Sequence, residues 1–252
     1  MTKINKQKLL TLLQKYSING KTTTPVLWIK DEESEQIQIT FKPDDRSFIG
    51  RVSFSNFDIG QSNELGVSSQ LPKILSALDD DLVMEVRYER NKPNHLDFDD
   101  SSSSAKFMLV DTSIEKITEQ RKYLSAPIFN GGKPEKVAQF AFAKETMDRF
   151  VKSKNALSDS KHFALRKEDV QIEFIINYAT DYQSNQIKFS VGAEIFSDFD
   201  VLIYDGDNFK DIITANKDCI SSMLTMYDQG LLELSFAGDG WTSEYYLMKF
   251  DN

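Results

Sequence analysis

The sequence predicts an α+β fold built from two copies of one unit. Three observations support this prediction. An amphipathic helical segment opens each half of the chain, strand-like runs follow it, and a short second helical segment interrupts those runs at the same distance in both halves. Helices on one face of antiparallel sheets bury such amphipathic stripes, so this order of elements favours the α+β class.

The first unit opens with an amphipathic helix over residues 4–16. Leu9, Leu12 and Leu13 recur at helical spacing on one side, whereas Lys8 and Lys15 belong to the polar side. A short helix with a proline in its first turn, where a missing N–H costs little, is predicted over residues 70–78. Runs rich in β-branched and aromatic residues predict the strands. These strands cover residues 26–30, 37–41, 48–54, 83–88 and 107–110.

The second unit repeats this order. Its opening helix is predicted over residues 143–153, with Met147 and Phe150 on the apolar side, and its short helix over 208–216, with Asp207 as the expected N-cap. Residues 238–240 provide a hairpin turn. The predicted strands cover residues 170–178, 186–191, 199–204, 231–236 and 245–250.

The spacing of equivalent residues supports an internal duplication. Leu9 and Ile74 are 65 residues apart, and so are Met147 and Ile212, which gives an offset of 138 between the copies. A fixed offset across separated elements is the signature of a repeat. We therefore predict a first unit at residues 1–112, a second at 137–252, and between them a connector at 113–136, which is rich in proline and glycine.

Composition restricts the class of protein. The 252 residues are 40% hydrophobic and 27% charged, which is typical of a globular protein, and no apolar run reaches the length of a membrane helix. The single Cys219 excludes an intrachain disulfide and fits a reducing cytoplasm, the expected location. The net charge of −9 opposes nucleic-acid binding, yet the first thirty residues hold six lysines and no acid. This uneven distribution of charge along the sequence fits either an ordinary solvated surface or a basic face that is separated from an acidic one.

Motifs for catalysis, metals and cofactors are absent from the sequence. His95 and His162 have no metal-ligand spacing, and one cysteine cannot build a thiolate site. Residues 131–134 lack the Ser or Thr of a phosphate loop, and the Asp-Gly-Asp at 205–207 lacks the glycine and glutamate of a calcium loop. We therefore expect no enzyme, no metal and no cofactor. A site assembled between the two copies stays an alternative.

Several segments resemble the DNA sliding clamp family, the processivity factors of replicative polymerases. Residues 6–15 resemble the opening helix of that family, and residues 199–213 resemble its step from a strand to a short helix. Residues 231–236 with 244–247 resemble the closing strands, and residues 70–75 take the place of the short helix in the first copy. The resemblance covers most of the chain and is strongest to the clamps of large tailed bacteriophages.

The resemblance implies a ring of six units around duplex DNA, hence a homotrimer of this two-unit chain. Helices would line the hole, edge strands would pair between subunits, and DNA would be held without sequence specificity. The implied partners are double-stranded DNA, a replicative DNA polymerase and a clamp loader, with no membrane. A phage-encoded clamp would act in the cytoplasm of the infected bacterial host.

Two sets of candidate site residues follow from this resemblance. Flexible lysines hold phosphates without reading bases. The basic residues in the predicted helices and at their ends are therefore expected to face DNA. Each of them is equally well explained as an ordinary solvated side chain. These residues are Lys6, Lys8, Lys15, Lys73, Lys144, Arg149, Lys152, Lys210 and Lys217. Apolar residues of the connector either line a pocket for a partner peptide or simply anchor the connector. These residues are Tyr123, Leu124, Pro127, Ile128 and Phe129.

Acidic residues weaken one part of this prediction. Glu145 and Asp148 lie near the polar side of the second opening helix, where a DNA-lining surface should be basic. A different class of function therefore stays open: a duplicated β-rich virion or assembly protein with no DNA role.

Overall fold

The computed structural model describes residues 2–31, 36–55, 59, 63–113, 134–178 and 185–250. The chain divides into two compact units. The first comprises Met1–Ile128 with Gly240–Thr242, and the second comprises Phe129–Asp239 with Ser243–Asn252. Most of the connector predicted at 113–136 falls outside the described residues, so its boundaries stay a prediction.

Each unit contains a long helix and a shorter one within the described residues. The first unit holds α1 (Lys6–Ser17) and α2 (Leu71–Leu75), and the second holds α3 (Lys144–Ala156) and α4 (Gly206–Ala215). No helix in this described part is long and apolar enough to cross a membrane.

Side-chain caps define where two of these helices begin. Asn5 Oδ1 accepts a hydrogen bond from the Lys8 N–H at 3.0 Å, which satisfies one of the free donors at the start of α1. Asp205 does the same for α4, accepting from the Asn208 N–H at 2.7 Å. The prediction of Asp207 as the N-cap is therefore wrong. The N-cap is Asp205, two residues earlier, because α4 begins at Gly206 and Asp207 lies inside its first turn.

The strands of the first unit form two antiparallel groups. One group has the order β1-β6-β7-β8 and the other the order β4-β3-β2-β5. The strands are β1 (Thr2–Asn5), β2 (Val26–Lys30), β3 (Ile37–Phe41), β4 (Phe48–Phe54), β5 (Glu64–Val67), β6 (Asp81–Glu89), β7 (Lys92–Asp99) and β8 (Ser104–Met108).

The second unit also contains two antiparallel groups. Their orders are β12-β11-β10-β14 and β13-β9-β15-β16-β17. The strands are β9 (Lys136–Ala141), β10 (His162–Glu168), β11 (Gln171–Ile176), β12 (Ile187–Gly192), β13 (Glu194–Ile195), β14 (Leu202–Asp205), β15 (Ser221–Tyr227), β16 (Leu231–Gly238) and β17 (Trp241–Met248).

The predicted duplication with an offset of 138 is confirmed by this topology. Adding 138 to the bounds of β5 gives 202–205, the bounds of β14, and adding it to α1 gives 144–155, within α3. The strand orders correspond in the same way, since β4-β3-β2-β5 maps onto β12-β11-β10-β14 and β1-β6-β7-β8 onto β9-β15-β16-β17. The fold is therefore α+β with two copies of one unit.

Several strand predictions need correction. Strands β1, β5, β7, β9, β10, β13 and β15 were not predicted. The strands expected at 107–110 and 245–250 begin earlier, at Ser104 and Trp241, and the strand expected at 199–204 begins later, at Leu202. β7 shows one reason. Among its eight residues only Leu96 and Phe98 are buried, and the other residues are mostly polar, so the composition of the segment does not indicate a strand. Pairing with β6 and β8 on both sides holds it in the sheet.

A buried aromatic cluster forms the core of the second unit. Phe150 of α3 and Phe209 of α4 meet with ring centroids 4.6 Å apart, and Phe163 of β10 lies beneath both at 5.0 and 4.6 Å. All three side chains are fully buried. Rings of this size bury a large apolar area, so the cluster fastens both helices onto the sheet.

Candidate nucleic-acid interface

The helices of the first unit carry two exposed lysines of the predicted DNA-facing set. Lys8 lies on α1 and Lys73 on α2, and both are exposed. Lys6 is more constrained, because its ammonium lies 3.3 Å from Asp80 Oδ1 and also donates to the carbonyl oxygen of Leu78. Its side chain is only 16% exposed. Lys8 and Lys73 are therefore the cations of this set that are most accessible to a phosphate in the first unit.

Lys15 does not fit the prediction. It is fully buried, and its Nζ lies 4.0 Å from the centroid of the Trp241 indole, which belongs to the first unit. A cation over an indole face gains electrostatic stabilisation, and the stem of the lysine packs as an apolar chain. The expectation that Lys15 faces DNA is therefore wrong: a residue distant in sequence covers a position that the helical pattern places on the polar side.

The second unit presents more of the predicted cations. Lys144, Arg149 and Lys152 are exposed on α3, and Lys217 is exposed just beyond the end of α4. Lys210 is half-buried and its Nζ lies 3.4 Å from Asn155 Oδ1, which joins the two helices.

Two exposed acids lie among the cations of α3. Glu145 and Asp148 are both exposed, as the sequence suggested. Arg149 also leans across the Phe189 ring, with its Cζ 5.6 Å from the centroid. The α3 surface is therefore mixed in charge, and a phosphate near it would meet carboxylates as well as cations.

One buried cation was missed by the sequence reasoning. Lys154 is only 1% exposed, and its Nζ lies 2.6 Å from Asp207 Oδ1 on α4. A signal existed, because Met147, Phe150 and Lys154 follow each other at spacings of three and four, which places Lys154 on the apolar stripe of its helix.

The acidic segments have local structural roles. Asp100 accepts hydrogen bonds from the Asp79 N–H at 2.8 Å and the Ser102 N–H at 2.7 Å, and these bonds lower the pKa of its carboxyl group. Asp205 and Asp207 are engaged as a helix cap and as the partner of Lys154. Across the described ranges, no group of three or more His, Cys, Asp or Glu residues is placed to hold a metal ion.

The predicted peptide pocket lies outside the described residues. Tyr123, Leu124, Pro127, Ile128 and Phe129 all fall between residues 114 and 133, so their placement stays a prediction.

The duplicated architecture is that of the sliding-clamp fold. No family model matches the chain, and no curated protein matches it. Solved structures of proliferating cellular nuclear antigen (PCNA) match it over almost its whole length.

Three PCNA structures illustrate this likeness. PCNA from Entamoeba histolytica is 14% identical with a TM-score of 0.69, covering 99% of this chain and 98% of its own. PCNA from Thermococcus kodakaraensis is 13% identical with a TM-score of 0.71, covering 99% of this chain and 100% of its own. A. fulgidus PCNA, bound to the C-terminal region of FEN-1, is 14% identical with a TM-score of 0.68, covering 99% and 98%. At such low identity the likeness shows the fold.

Proposed function

We propose that this protein is a DNA sliding clamp without catalytic activity. Three copies close into a ring around duplex DNA, and the ring tethers a replicative DNA polymerase for processive synthesis after a clamp loader has opened it. The observation that carries the proposal is the duplicated clamp fold, which matches PCNA structures over 99% of the chain. A. fulgidus PCNA with the C-terminal region of FEN-1 supports the idea that such a fold docks partner peptides.

The chemistry of the helices supports sliding on DNA. Lys8, Lys73, Lys152 and Lys217 are exposed, and lysine is a point charge on a flexible stem. Such side chains hold phosphates at a distance and carry no sequence information. The acidic overall charge of −9 discourages binding of DNA elsewhere on the protein, so the two features together favour a localised contact.

Two edge strands support closure of a ring. β8 lies at one edge of its group in the first unit and β12 at one edge of its group in the second. Unpaired strand edges invite a further strand, and an edge-to-edge contact between different strands is heterologous, so it generates rings when the rotation closes. We propose that β8 of one copy pairs with β12 of the next.

The outward N–H groups of these edges follow from the ladder geometry. Leu109 N donates to Asn94 O at 2.9 Å and Ala193 N donates to Val170 O at 3.2 Å. Hydrogen-bonded pairs alternate along an antiparallel ladder, so Lys106 of β8 and Lys188 of β12 direct their N–H groups away from the neighbouring strand.

Proline substitution at these positions tests ring closure. Lys106→Pro and Lys188→Pro each remove an outward donor and leave the bonds within the sheet intact. We expect wild-type protein to sediment as a trimer at micromolar concentration and both proline variants as monomers. Lys106→Ala is the matched control, because it removes the ammonium but keeps the N–H, and it should remain trimeric. A wild-type protein that stays monomeric up to about 100 µM, far above the Kd of a specific complex, contradicts the ring.

Topological retention tests the function itself. Linear duplex DNA is attached to beads at one end, the protein is allowed to thread over the free end, and that end is then capped with a bulky protein. We expect the protein to resist dilution and washing on capped DNA and to be released when a restriction enzyme cuts the duplex. Equal retention on capped and cut DNA would indicate ordinary surface binding. Absence of retention, with trimers present, would favour an assembly protein with no DNA role.

A further inference from the structure

Lys154 and Asp207 form an ion pair that joins the two helices of the second unit. Lys154 lies in the last turn of α3, and its Nζ is 2.6 Å from Asp207 Oδ1 in the first turn of α4. The stem of Lys154 passes close to Gly206, where an added Cβ would lie 3.0 Å from Lys154 Cε. The lysine side chain is 1% exposed and the aspartate side chain is 49% exposed, so the pair lies at the solvent edge of the contact between the helices.

The fold does not require this pair. Subtracting the offset of 138 places Tyr16 and Ser69 at the equivalent positions of the first unit. These two residues cannot form an ion pair, and yet the first unit has the same architecture. Burying an ammonium also costs desolvation, and replacing a buried ion pair by apolar side chains is often neutral or stabilising. The role of the pair is therefore a matter of geometry more than of net stability.

The aromatic part of the contact between the two helices leaves their register less constrained. Phe150 and Phe209 meet at 4.6 Å, and apolar surfaces tolerate repacking more readily than a charged pair tolerates a change of distance. Lys210 Nζ adds a second polar link to Asn155 Oδ1 at 3.4 Å. Both links join the end of α3 to α4, which is the part of the unit that presents Lys152, Lys210 and Lys217.

We propose that Lys154 is a positioning residue that fixes the register of α4 on α3 and thereby the spacing of the cations that contact DNA phosphates. This inference rests on the proposed clamp function. Lys154 itself does not reach the DNA, because its ammonium is buried against Asp207. It acts through the alignment of Lys210 and Lys217 on α4 with Lys152 on α3.

The double variant Lys154→Met with Asp207→Asn tests the proposal, because it removes both charges and leaves no unpaired ammonium in the interior. We expect the free energy of unfolding to stay near that of the wild type, while the lifetime on capped DNA falls severalfold. The single variant Asp207→Glu, with Lys154 unchanged, keeps both charges of the pair and should retain most of the wild-type lifetime. A double variant that unfolds like the wild type and is retained as long on DNA overturns the proposal.

A second background separates positioning from general stability. In a protein that already carries Lys210→Ala and Lys217→Ala, the double variant should shorten the lifetime no further, because the cations it aligns are gone. An equal loss in both backgrounds overturns the proposal. Amide hydrogen exchange tests the register without DNA: exchange in residues 206–215 should accelerate severalfold in the double variant, and unchanged exchange there also overturns it. Wild-type protein that is not retained on capped DNA overturns the clamp function and the DNA role of Lys154 together, while the exchange result still decides the register.

Discussion

Lys15 Nζ lies 4.0 Å from the centroid of the Trp241 indole, so a lysine on the polar side of an amphipathic helix is held in the interior. Trp241 begins β17 and belongs to the first unit through the short segment Gly240–Thr242. The helical pattern treats Lys8 and Lys15 as equivalent, because they are seven residues apart and lie on the same side of α1. The contact with the distant indole distinguishes Lys15 from Lys8.

This contact predicts different effects for two lysines of one helix. Lys15→Met keeps the apolar stem and loses the cation–π contact, so it should lower the free energy of unfolding by about 2 kcal/mol. It should leave retention on capped DNA unchanged. Lys8→Met is the matched comparison: we expect a smaller change in stability, because interactions of an exposed lysine contribute little, and faster loss from DNA as salt is raised. Urea unfolding and the bead assay measure the two effects. Loss of DNA retention in Lys15→Met at unchanged stability would mean that Lys15 reaches the phosphates.

The accuracy of the sequence prediction depends on how far apart the contacting residues are. The strands at 26–30, 37–41 and 48–54 are confirmed residue for residue, because alternating apolar side chains at Ile37, Ile39 and Phe41 reflect local burial on one face of a sheet. The duplication was also detectable, because a repeat preserves spacing. The environment of Lys15 and the pairing of Lys154 with Asp207 depend on contacts between elements, which no single-segment pattern contains.

A buried amide joins the end of α4 to β17. Asn216 is fully buried, its Nδ2 donates to Ile212 O at 2.8 Å and to the Tyr245 hydroxyl at 2.9 Å, and its Oδ1 accepts from Ser243 Oγ at 2.8 Å. Burial raises the pKa of Tyr245, so its phenol stays protonated at neutral pH. Every polar atom of the amide is thus engaged in holding the helix end against the strand.

Asn216→Ala should therefore be among the most destabilising single substitutions in the second unit. It deprives buried hydroxyl groups of a partner, and we expect a loss of about 2–4 kcal/mol in the free energy of unfolding. Tyr245→Phe is the milder comparison, with a loss of about 1 kcal/mol, because it removes the hydroxyl together with the hydrogen bonds that the hydroxyl makes. The two losses should not add in the double variant, since the residues share a bond. Strict additivity in urea unfolding would show that the network is not coupled.

A glycine in β4 makes room for an aromatic ring. Gly50 lies opposite Phe41 of β3, and an added Cβ would lie 2.1 Å from Phe41 Cζ. Phe41 is 1% exposed and packs edge-on against Tyr16 of α1, with ring centroids 6.2 Å apart. The ring therefore has no open space to move into.

Gly50→Ala should destabilise the protein even though alanine is ordinarily favoured over glycine in a strand. Overpacking of this kind costs about 1–3 kcal/mol, and we expect a net loss in that range by thermal or urea unfolding. Gly192→Ala is the matched control, because it also lies in a strand but has no atom within 4 Å of the added Cβ. It should be neutral or slightly stabilising. Equal effects of the two substitutions would contradict the close approach of the Phe41 ring.

The loop before β4 contains a carboxylate that makes stability depend on pH. Asp44 accepts hydrogen bonds from the hydroxyl group of Thr23, from that of Thr24 at 2.9 Å, and from the N–H groups of both threonines at 3.3 Å. These bonds, that of the Thr23 hydroxyl first, hold the pKa of Asp44 below its usual value of 3.8. Donors that favour the ionised form favour it only in the folded protein, because they are assembled by folding.

The sign of the pH dependence follows from that lowered pKa. Because the pKa is lower in the folded protein than in the unfolded one, the contribution is fully present above the unfolded value and is lost as the pH falls through the folded value. Asp44→Asn should lower the free energy of unfolding by about 1 kcal/mol at pH 7, a modest effect because the carboxylate is exposed to solvent. The difference from wild type should shrink as the pH falls below the unfolded-state pKa of about 4 and disappear once the pH is below the lowered folded-state pKa, as urea unfolding at each pH would show. Thr23→Val alone should cause part of the same loss in the free energy of unfolding at pH 7. In protein that already carries Asp44→Asn it should cause no further loss, because the Thr23 hydroxyl acts through this carboxylate. A difference that stays constant from pH 7 to pH 2 would mean that the hydrogen bonds stabilise the loop independently of the charge.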